Sequence, residues 1–365
     1  MKLKRTGTVL AIAAVGTVLL ASCASNEGGS TSPSESASSD LSGTISGIGA
    51  SSQQSAQEAW VAAFQTANEG VTVNYDPQGS GGGRESFISG AADFAASDRA
   101  FKTDEISSST FAGCTPDTDI VELPAYVSPI AVVFNVEGVD ELNLSPATIA
   151  GIFNGSITTW DADEIAADNP DAELPSTAIT AVHRSDDSGT TENFTDYLHA
   201  TAPDVWTEEA DGVWPLDSGE GANQTTGMID AVTNSDGTIG YADASRAGDL
   251  GVAKIKVGDE FVEYSADAAA AIVDASPREE GRGEGDIAIE LDRTSTEAGV
   301  YPIVLISYLI ACESYEDEAQ GELVKSYLSY VTSEDGQQVA ADAAGSAPIS
   351  SELSTEVASA IELIK

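Results

Sequence analysis

From Thr44 onward the chain alternates short apolar runs with amphipathic stretches. Thr44-Ile45-Ser46-Gly47-Ile48-Gly49 reads as a short strand entering a glycine turn, after which Ala56, Ala59, Trp60, Ala63 and Phe64 recur at helical spacing. Val71-Thr72-Val73-Asn74-Tyr75 alternates like a half-buried strand, and Gly79-Ser80-Gly81-Gly82-Gly83 precedes a second predicted helix. Residues 120–134 contain two extended runs, and further strands are predicted at 179–183, 238–241 and 301–306. The C-terminal stretch is predicted to be largely helical, with an apolar face including Leu323, Val324, Tyr327, Leu328 and Val331. Strands alternating with helices predict an α/β architecture with mixed or parallel sheets.

The first 43 residues follow other rules. Lys2-Leu3-Lys4-Arg5 and the apolar run from Val9 to Ala21 have the form of a secretory signal. Leu20-Ala21-Ser22-Cys23 resembles a bacterial lipobox, which implies removal of residues 1–22 and lipidation of Cys23 as the mature N-terminus. The plainer alternative is a chance cysteine beside a simple cleavage site. Residues 23–43 are rich in Ser, Gly, Glu and Pro, with Leu41 the only large aliphatic residue, and cannot repay their ordering entropy. They predict a disordered tether reaching on the order of 25 Å. No internal stretch approaches the roughly 18 apolar residues of a membrane span.

Charge narrows the function. The 365 residues include 60 acidic and 15 basic ones, a formal charge of −45; without residues 1–22 there are 12 basic residues and the charge is −48. That balance excludes a nucleic-acid binder with a basic footprint. At 41% hydrophobic residues the chain can still bury a substantial core, and its length suggests two domains of about 150 residues each. Cys23, Cys114 and Cys312 lack metal-site spacing, and the two histidines, His183 and His199, have no metal-ligand companions, so neither a metal nor a cofactor is expected.

Three predicted helix starts carry the chemistry. Ser51 and Gln54 fit a capping box, Ser80 lies in a glycine cluster, and Ser188-Gly189-Thr190 sits between a strand and the apolar stripe of Phe194, Tyr197 and Leu198. Each offers a hydroxyl and free N–H groups at the positive end of a helix dipole, and together they could bind an oxyanion with little formal positive charge. Singly, each is an ordinary cap or turn. Asp98 and Arg184 accompany them. Arg184 can bind an anion through its guanidinium fork or form a structural pair with Asp186 or Asp187.

Catalysis is not expected. Asp187-Ser188-Gly189-Thr190 and Asp217-Ser218-Gly219 match the aspartic-protease signature locally, but they lie too close together in sequence to serve two lobes. Ser188 lacks the Gly-x-Ser-x-Gly elbow, and Gly79–Arg84 lacks the Gly-Lys-Ser/Thr ending of a nucleotide loop.

Several segments in order then carry a resemblance: Gly47-Ile48-Gly49-Ala50-Ser51-Ser52, Gly79-Ser80-Gly81-Gly82, Asp93-Phe94-Ala95-Ala96-Ser97-Asp98, Phe153-Asn154-Gly155-Ser156-Ile157-Thr158-Thr159-Trp160, Leu174-Pro175, Arg184-Ser185-Asp186-Asp187-Ser188-Gly189-Thr190-Thr191, Ile239-Gly240-Tyr241 and Tyr301-Pro302-Ile303. Over residues 44–365 the sequence resembles the phosphate-binding lipoproteins of bacterial ABC transporters, the PstS family. The resemblance implies a two-lobed periplasmic-binding-protein (type II) fold with two inter-lobe crossovers. One crossing would lie near residues 126–129 and the other near 300–302, giving a first lobe of 44–127 and 300–365 and a second of 128–299.

It also implies a site for inorganic phosphate in the cleft. The first lobe would supply the Ser51 hydroxyl, the Ser52 N–H, the Ser80 hydroxyl and N–H, and the Asp98 carboxylate. The second would supply Arg184, the Ser188 hydroxyl, the Gly189 N–H, and the Thr190 N–H and hydroxyl, with Asp186 pairing the arginine from behind. Many relatives have Thr-Phe where this chain has Ser51-Ser52; the hydroxyl and N–H survive the change and an aromatic ring is lost. Permease subunits would be the protein partners of a monomer anchored to the outer face of the membrane through Cys23. Cys114 and Cys312 both fall in the implied first lobe outside the reducing cytosol, where a disulfide is expected, two buried thiols being the alternative.

Phosphate at neutral pH carries a proton that can donate to Asp98, whereas sulfate would present a lone pair. The competing functions are a secreted phosphatase on the same fold, a receptor for another protonated oxyanion, and an adhesin-like surface lipoprotein.

Overall fold

A computed structural model describes residues 41–365; the signal sequence, Cys23 and nearly all of the tether lie outside the described residues. Strand β1 (Gly43–Gly49) leads to helix α1 (Gln54–Ala67), strand β2 (Val71–Asp76), helix α2 (Ser80–Ile88) and strand β3 (Phe94–Ser97). These strands are parallel, in the spatial order β2-β1-β3. Gly47-Ile48-Gly49 belongs to β1 itself rather than to the expected turn. Helix α1 buries Ala56, Trp60 and Phe64 against the sheet, as its periodicity requires. A short helix α3 (Thr103–Ser108) follows.

The two extended runs of residues 120–134 form one strand, β4 (Ile120–Asn135), apolar and buried on both faces. Its two prolines cannot donate to a ladder, and the pairing accommodates them. The register with strand β12 (Val304–Cys312) shifts between Ser307 and Tyr308, which face Tyr126 and Pro124, so Ala125 is skipped. The carbonyl of Ala125 accepts instead from Gln337 Nε2 at 2.8 Å. Pro129 ends the pairing with β12, and from Ile130 the strand pairs antiparallel with β8.

Between those strands lie β5 (Asn143–Leu144), α4 (Pro146–Phe153), α5 (Asp163–Asp168), β6 (Thr180–Arg184), α6 (Gly189–Thr201), β7 (Glu220–Ala222), α7 (Gln224–Asn234), β8 (Thr238–Asp243), β9 (Gly251–Val252), β10 (Lys254–Val257), β11 (Glu260–Val262) and α8 (Ala266–Ala275). Among the described residues one nine-stranded sheet runs β2-β1-β3-β12-β4-β8-β6-β7, with β9 against β4, and a three-stranded sheet runs β11-β10-β5. The molecule is two-lobed, the β2-β1-β3-β12 side being the first lobe and the β8-β6-β7 side the second. Helices α9 (Glu318–Thr332), α10 (Glu334–Ala344) and α11 (Ser351–Ile361) complete the first lobe and bury the predicted apolar face of Leu323, Val324, Tyr327, Leu328 and Val331. The last predicted strand runs later than its sequence suggested, because Tyr301 packs in the core before β12 begins.

Cys114 and Cys312 form a disulfide with Cα atoms 5.3 Å apart, joining the loop before β4 to the end of β12. None of the helices among the described residues is long and apolar enough to cross a membrane.

Candidate functional site at the cleft between the lobes

Helix α1 begins later than its sequence signature. Gln53 is the N-cap without a side-chain cap, and its backbone is already helical (φ −74°, ψ −6°), so the Ser51–Gln54 capping box does not form. Ser51 thus stands beyond the capping position. Its hydroxyl is 2.9 Å from Thr225 Oγ1 and accepts from the Thr225 N–H at 3.2 Å, both on α7 of the opposite lobe.

Helix α2 begins at Ser80 as its glycine cluster predicts. Gly79, its N-cap, has φ +101°, a region that favours glycine, and a Cβ there would lie 2.7 Å from Asp186 Oδ2 and 3.6 Å from Arg184 Nη2. The Ser80 hydroxyl accepts from the Asp98 N–H at 3.0 Å. In α6, Ser188 is the N-cap and its hydroxyl accepts from the Thr191 N–H at 3.2 Å. A Cβ on Gly189 would stand 2.7 Å from both Asp98 Cβ and Ser80 Oγ, so only glycine lets the start of α6 approach the first lobe so closely.

Asp98, just beyond β3 and 3% exposed, sits among hydroxyls. Its Oδ1 accepts from Ser52 Oγ and Ser307 Oγ, each at 2.6 Å, and its Oδ2 accepts from Thr190 Oγ1 at 2.9 Å. A carboxylate offers about four acceptor positions, so Oδ2 keeps one for a further donor.

Arg184 ends β6 and is 2% exposed. Its Nε donates to Asp186 Oδ1 at 2.8 Å and its Nη2 to Asp186 Oδ2, a forked pair. Burial pushes the Asp186 carboxyl up, but the Arg184 hydrogen bonds and charge, with the Gln224 N–H at 3.0 Å, outweigh it and hold the group below its ordinary value.

Ser52, Ser80, Asp98, Gly189 and Thr190 are thus in one buried cluster, Arg184 reaches it beside Gly79, and Ser51 lies against α7. Ser307, Thr225, Arg84 and Asn193 also belong to this cleft and were not singled out in the sequence. Arg84 Nη1 donates to Ser97 Oγ at 2.9 Å, and its Nη2 faces Asp187 across the cleft at 3.3 Å. Arg84 closes the very glycine cluster that drew attention to Ser80, which was its available signal. Ser307 and Thr225 sit in unremarked strand and helix sequence and gave none.

A cavity of about 850 Å³ flanks the cleft next to Asp98. Its cations Arg99, Lys102, Arg282 and Arg293 each face a carboxylate.

The arrangement can be set beside known proteins. The PBP superfamily domain matches residues 34–335. Phosphate-binding protein PstS 3 of Mycobacterium tuberculosis is 35% identical over 376 residues, covering 100% of both chains. The chain belongs to the PstS family. PstS 2 of the same organism is 32% identical, again over 100% of both chains, and PstS of Xylella fastidiosa is 29% identical over 87% of this chain and 84% of its own. Among solved structures, the phosphate-bound PfluDING protein has a TM-score of 0.70 at 22% identity, covering 87% of this chain and 93% of its own. The phosphate-binding protein of Stenotrophomonas maltophilia has a TM-score of 0.61 at 20% identity, covering 87% and 94%. These two likenesses show the fold, which for this PstS chain is the two-lobed type II one.

Proposed function

We propose that this PstS protein is an extracytoplasmic receptor that captures inorganic phosphate between its lobes and hands it to the permease of an ABC importer. It is a binding protein, not an enzyme. The observation that carries the reading is the ring around Asp98: a buried carboxylate among the hydroxyls of Ser52, Ser307 and Thr190, with the starts of α2 and α6 meeting beside it and buried Arg184, paired to Asp186, close to Gly79. Helix N-termini and hydroxyls donate to phosphate oxygens, Arg184 supplies charge in a low-dielectric setting, and Asp98 accepts the ligand's proton.

In this reading Ser51, Ser52 and Ser80 bind from the first lobe, and Arg184, Ser188, Gly189 and Thr190 from the second, while Asp186 orients the arginine. The lobes divide at residues 127/128 and 299/300, and closure is a hinge motion about the two crossings. Support for the first border comes from β4, which exchanges β12 for β8 as its partner after Pro129. A lipid on Cys23 and the residues that follow it tether a monomer to the outer face of the membrane; the tether ends before Leu41, which packs against the core, and before Gly43, which opens β1.

Calorimetric titration of residues 41–365, stripped of bound ligand, tests the reading. Tight one-to-one binding of phosphate with no response to sulfate is expected. Silence toward both anions would overturn the ligand and turn attention to other protonated oxyanions and to phosphatase assays.

A further inference from the structure

The guanidinium of Arg293 is a structural cation that no ligand role explains. It is 5% exposed, and every nitrogen has a partner. Nε donates to Asp196 Oδ2 at 2.9 Å, Nη1 to the carbonyls of Val304 at 2.6 Å and Pro302 at 3.2 Å, and Nη2 to Asn193 Oδ1. Pro302 and Val304 lie where the chain returns to the first lobe; Asp196 and Asn193 are on α6. Arg293 therefore ties the crossing to the helix whose first turn carries Ser188, Gly189 and Thr190.

The contact with Asn193 has a directional consequence. A guanidinium only donates, so Oδ1 of Asn193 must be the atom that meets it, and the NH2 group must point the other way. There Nδ2 donates to the carbonyl of Asp98 at 2.6 Å and to that of Gly189 at 2.9 Å. Helix α6 thus grips Asp98 twice, through the Thr190 hydroxyl on the carboxylate and the Asn193 amide on the backbone. Ser52 and Ser307 already hold Oδ1 of the carboxylate, so what Asn193 adds is a second tie from α6, on the Asp98 backbone, that fixes how closely the helix approaches.

We propose that Arg293 and Asn193 are a positioning pair: Arg293 sets the amide orientation of Asn193, and Asn193 holds Asp98 against the second lobe in the closed cleft. The inference rests on the phosphate reading of that cleft. Neither residue touches the ligand. Their effect falls on how long the cleft stays closed, because the Asn193–Asp98 bond joins the lobes only when they meet, whereas the Arg293 contacts to α6 lie within the second lobe.

The test uses residues 41–365, which keep β1 whole, with phosphate followed by stopped flow, and melting temperatures measured without ligand. Asn193→Asp keeps the acceptor that Arg293 needs but has no donor for the carbonyls of Asp98 and Gly189, and the uncharged Asn193→Ala beside it separates the lost bonds from the added carboxylate. The expected result in both variants is a phosphate off-rate raised about tenfold, a loss typical of one buried hydrogen bond, with an on-rate within about twofold of wild type for Asn193→Ala; the lost Gly189 bond, internal to α6, shows separately as a lowered melting temperature. Arg293→Lys, which keeps the charge but not the fork, should raise the off-rate similarly and add little to it in the Asn193→Asp background. An unchanged off-rate in Asn193→Asp, or fully additive effects in the double variant, overturns the positioning role. Wild-type protein that fails to bind phosphate overturns the function itself, which keeps the two failures distinct.

Discussion

Thr190 Oγ1 lies 2.9 Å from Asp98 Oδ2, so a hydroxyl from the first turn of α6 in the second lobe meets the buried carboxylate of the first. With Ser52 and Ser307 on the other oxygen, Asp98 is saturated with donors on one side and keeps a single acceptor position on the other. An anion can occupy such a site only if it brings a proton.

Selectivity should therefore depend on Asp98. Asn at this position removes the negative charge and can present its amide N–H to a fully deprotonated anion. Asp98→Asn should bring sulfate binding within reach, whereas the wild-type site should reject it by about 10⁴–10⁵, as sites built for a ligand proton do. Competition calorimetry with both anions reads this directly, and unchanged sulfate rejection would refute the role.

Arg184 should matter to stability as well as to binding. Arg184→Ala leaves Asp186 with the Gln224 N–H but without its forked partner. Removing one member of a buried pair costs about 3–5 kcal/mol. Arg184→Lys should recover part of the stability and little of the affinity, because an ammonium cannot grip Asp186 through two nitrogens while facing the cleft. Equal recovery of both in denaturant titration and calorimetry would show that charge alone suffices.

Salt should quicken both arms of the binding reaction. A charge of −48 on the chain beyond residue 22 repels phosphate at long range. Across the cleft Arg99 Nε lies 2.7 Å and Lys102 Nζ 3.4 Å from Glu192, contacts that opening of the lobes would break. Between roughly 20 and 500 mM salt the Debye length falls from about 20 Å to about 4 Å, screening the repulsion and then weakening these partly buried pairs. Stopped-flow rates of association and dissociation should therefore both rise, and an association rate that falls with salt would contradict this.

The Cys114–Cys312 bridge closes a loop with a sequence separation of 198 residues. In the chain-entropy model so long a loop confers about 5 kcal/mol, an upper figure. Cys114→Ser/Cys312→Ser should lower the melting temperature without altering phosphate affinity, since the bridge sits at the far end of β12 from Ser307. Two titratable thiols in denatured, unreduced wild-type protein would show that the bridge does not form in solution.

The site was legible where chemistry leaves a local mark. Ser80 and Ser188 announce themselves because glycine and hydroxyl residues cluster at helix starts, and Arg184 because it stands four residues before Ser188. The alternation of strands and helices gave the architecture for the same reason, since each period is local. Ser307 left no trace, because it belongs to an apolar strand and reaches Asp98 only through a pairing 209 residues apart. The capping box at Ser51 misled for a related reason: the motif describes a helix end in isolation, and here the turn at residues 51–53 is bent toward α7. Continuity of β4 was hidden by its two prolines, which read as breaks until the register with β12 shows how a skipped residue absorbs one of them.

Finally, Asp243 should give the fold a pH dependence near neutrality. It ends β8, is fully buried, and lies opposite Ile130 where β4 changes partners. Burial pushes its carboxyl up from 3.8 to about 6, although hydrogen bonds from Ser245, Ser128 and Tyr126 favour the charged form and partly offset the burial. A folded value above the unfolded one means that folding takes up a proton between the two. The associated stability is complete below about pH 4, declines as pH rises to about 6, and is absent above. Two pH units correspond to roughly 3 kcal/mol at most. Glu105 has the opposite sign: its value falls to about 2, so its contribution is present above pH 4.5 and is lost only in stronger acid. The raised Glu122 and Asp286 act in the same direction as Asp243, so wild type alone does not isolate it. The comparison with Asp243→Asn does. Between pH 4 and 7 the wild-type melting temperature should fall by on the order of 5 °C more than that of the variant. Parallel curves for the two proteins would mean that Asp243 ionises near its ordinary value and that the hydroxyls of Tyr126, Ser128 and Ser245 solvate its charge fully.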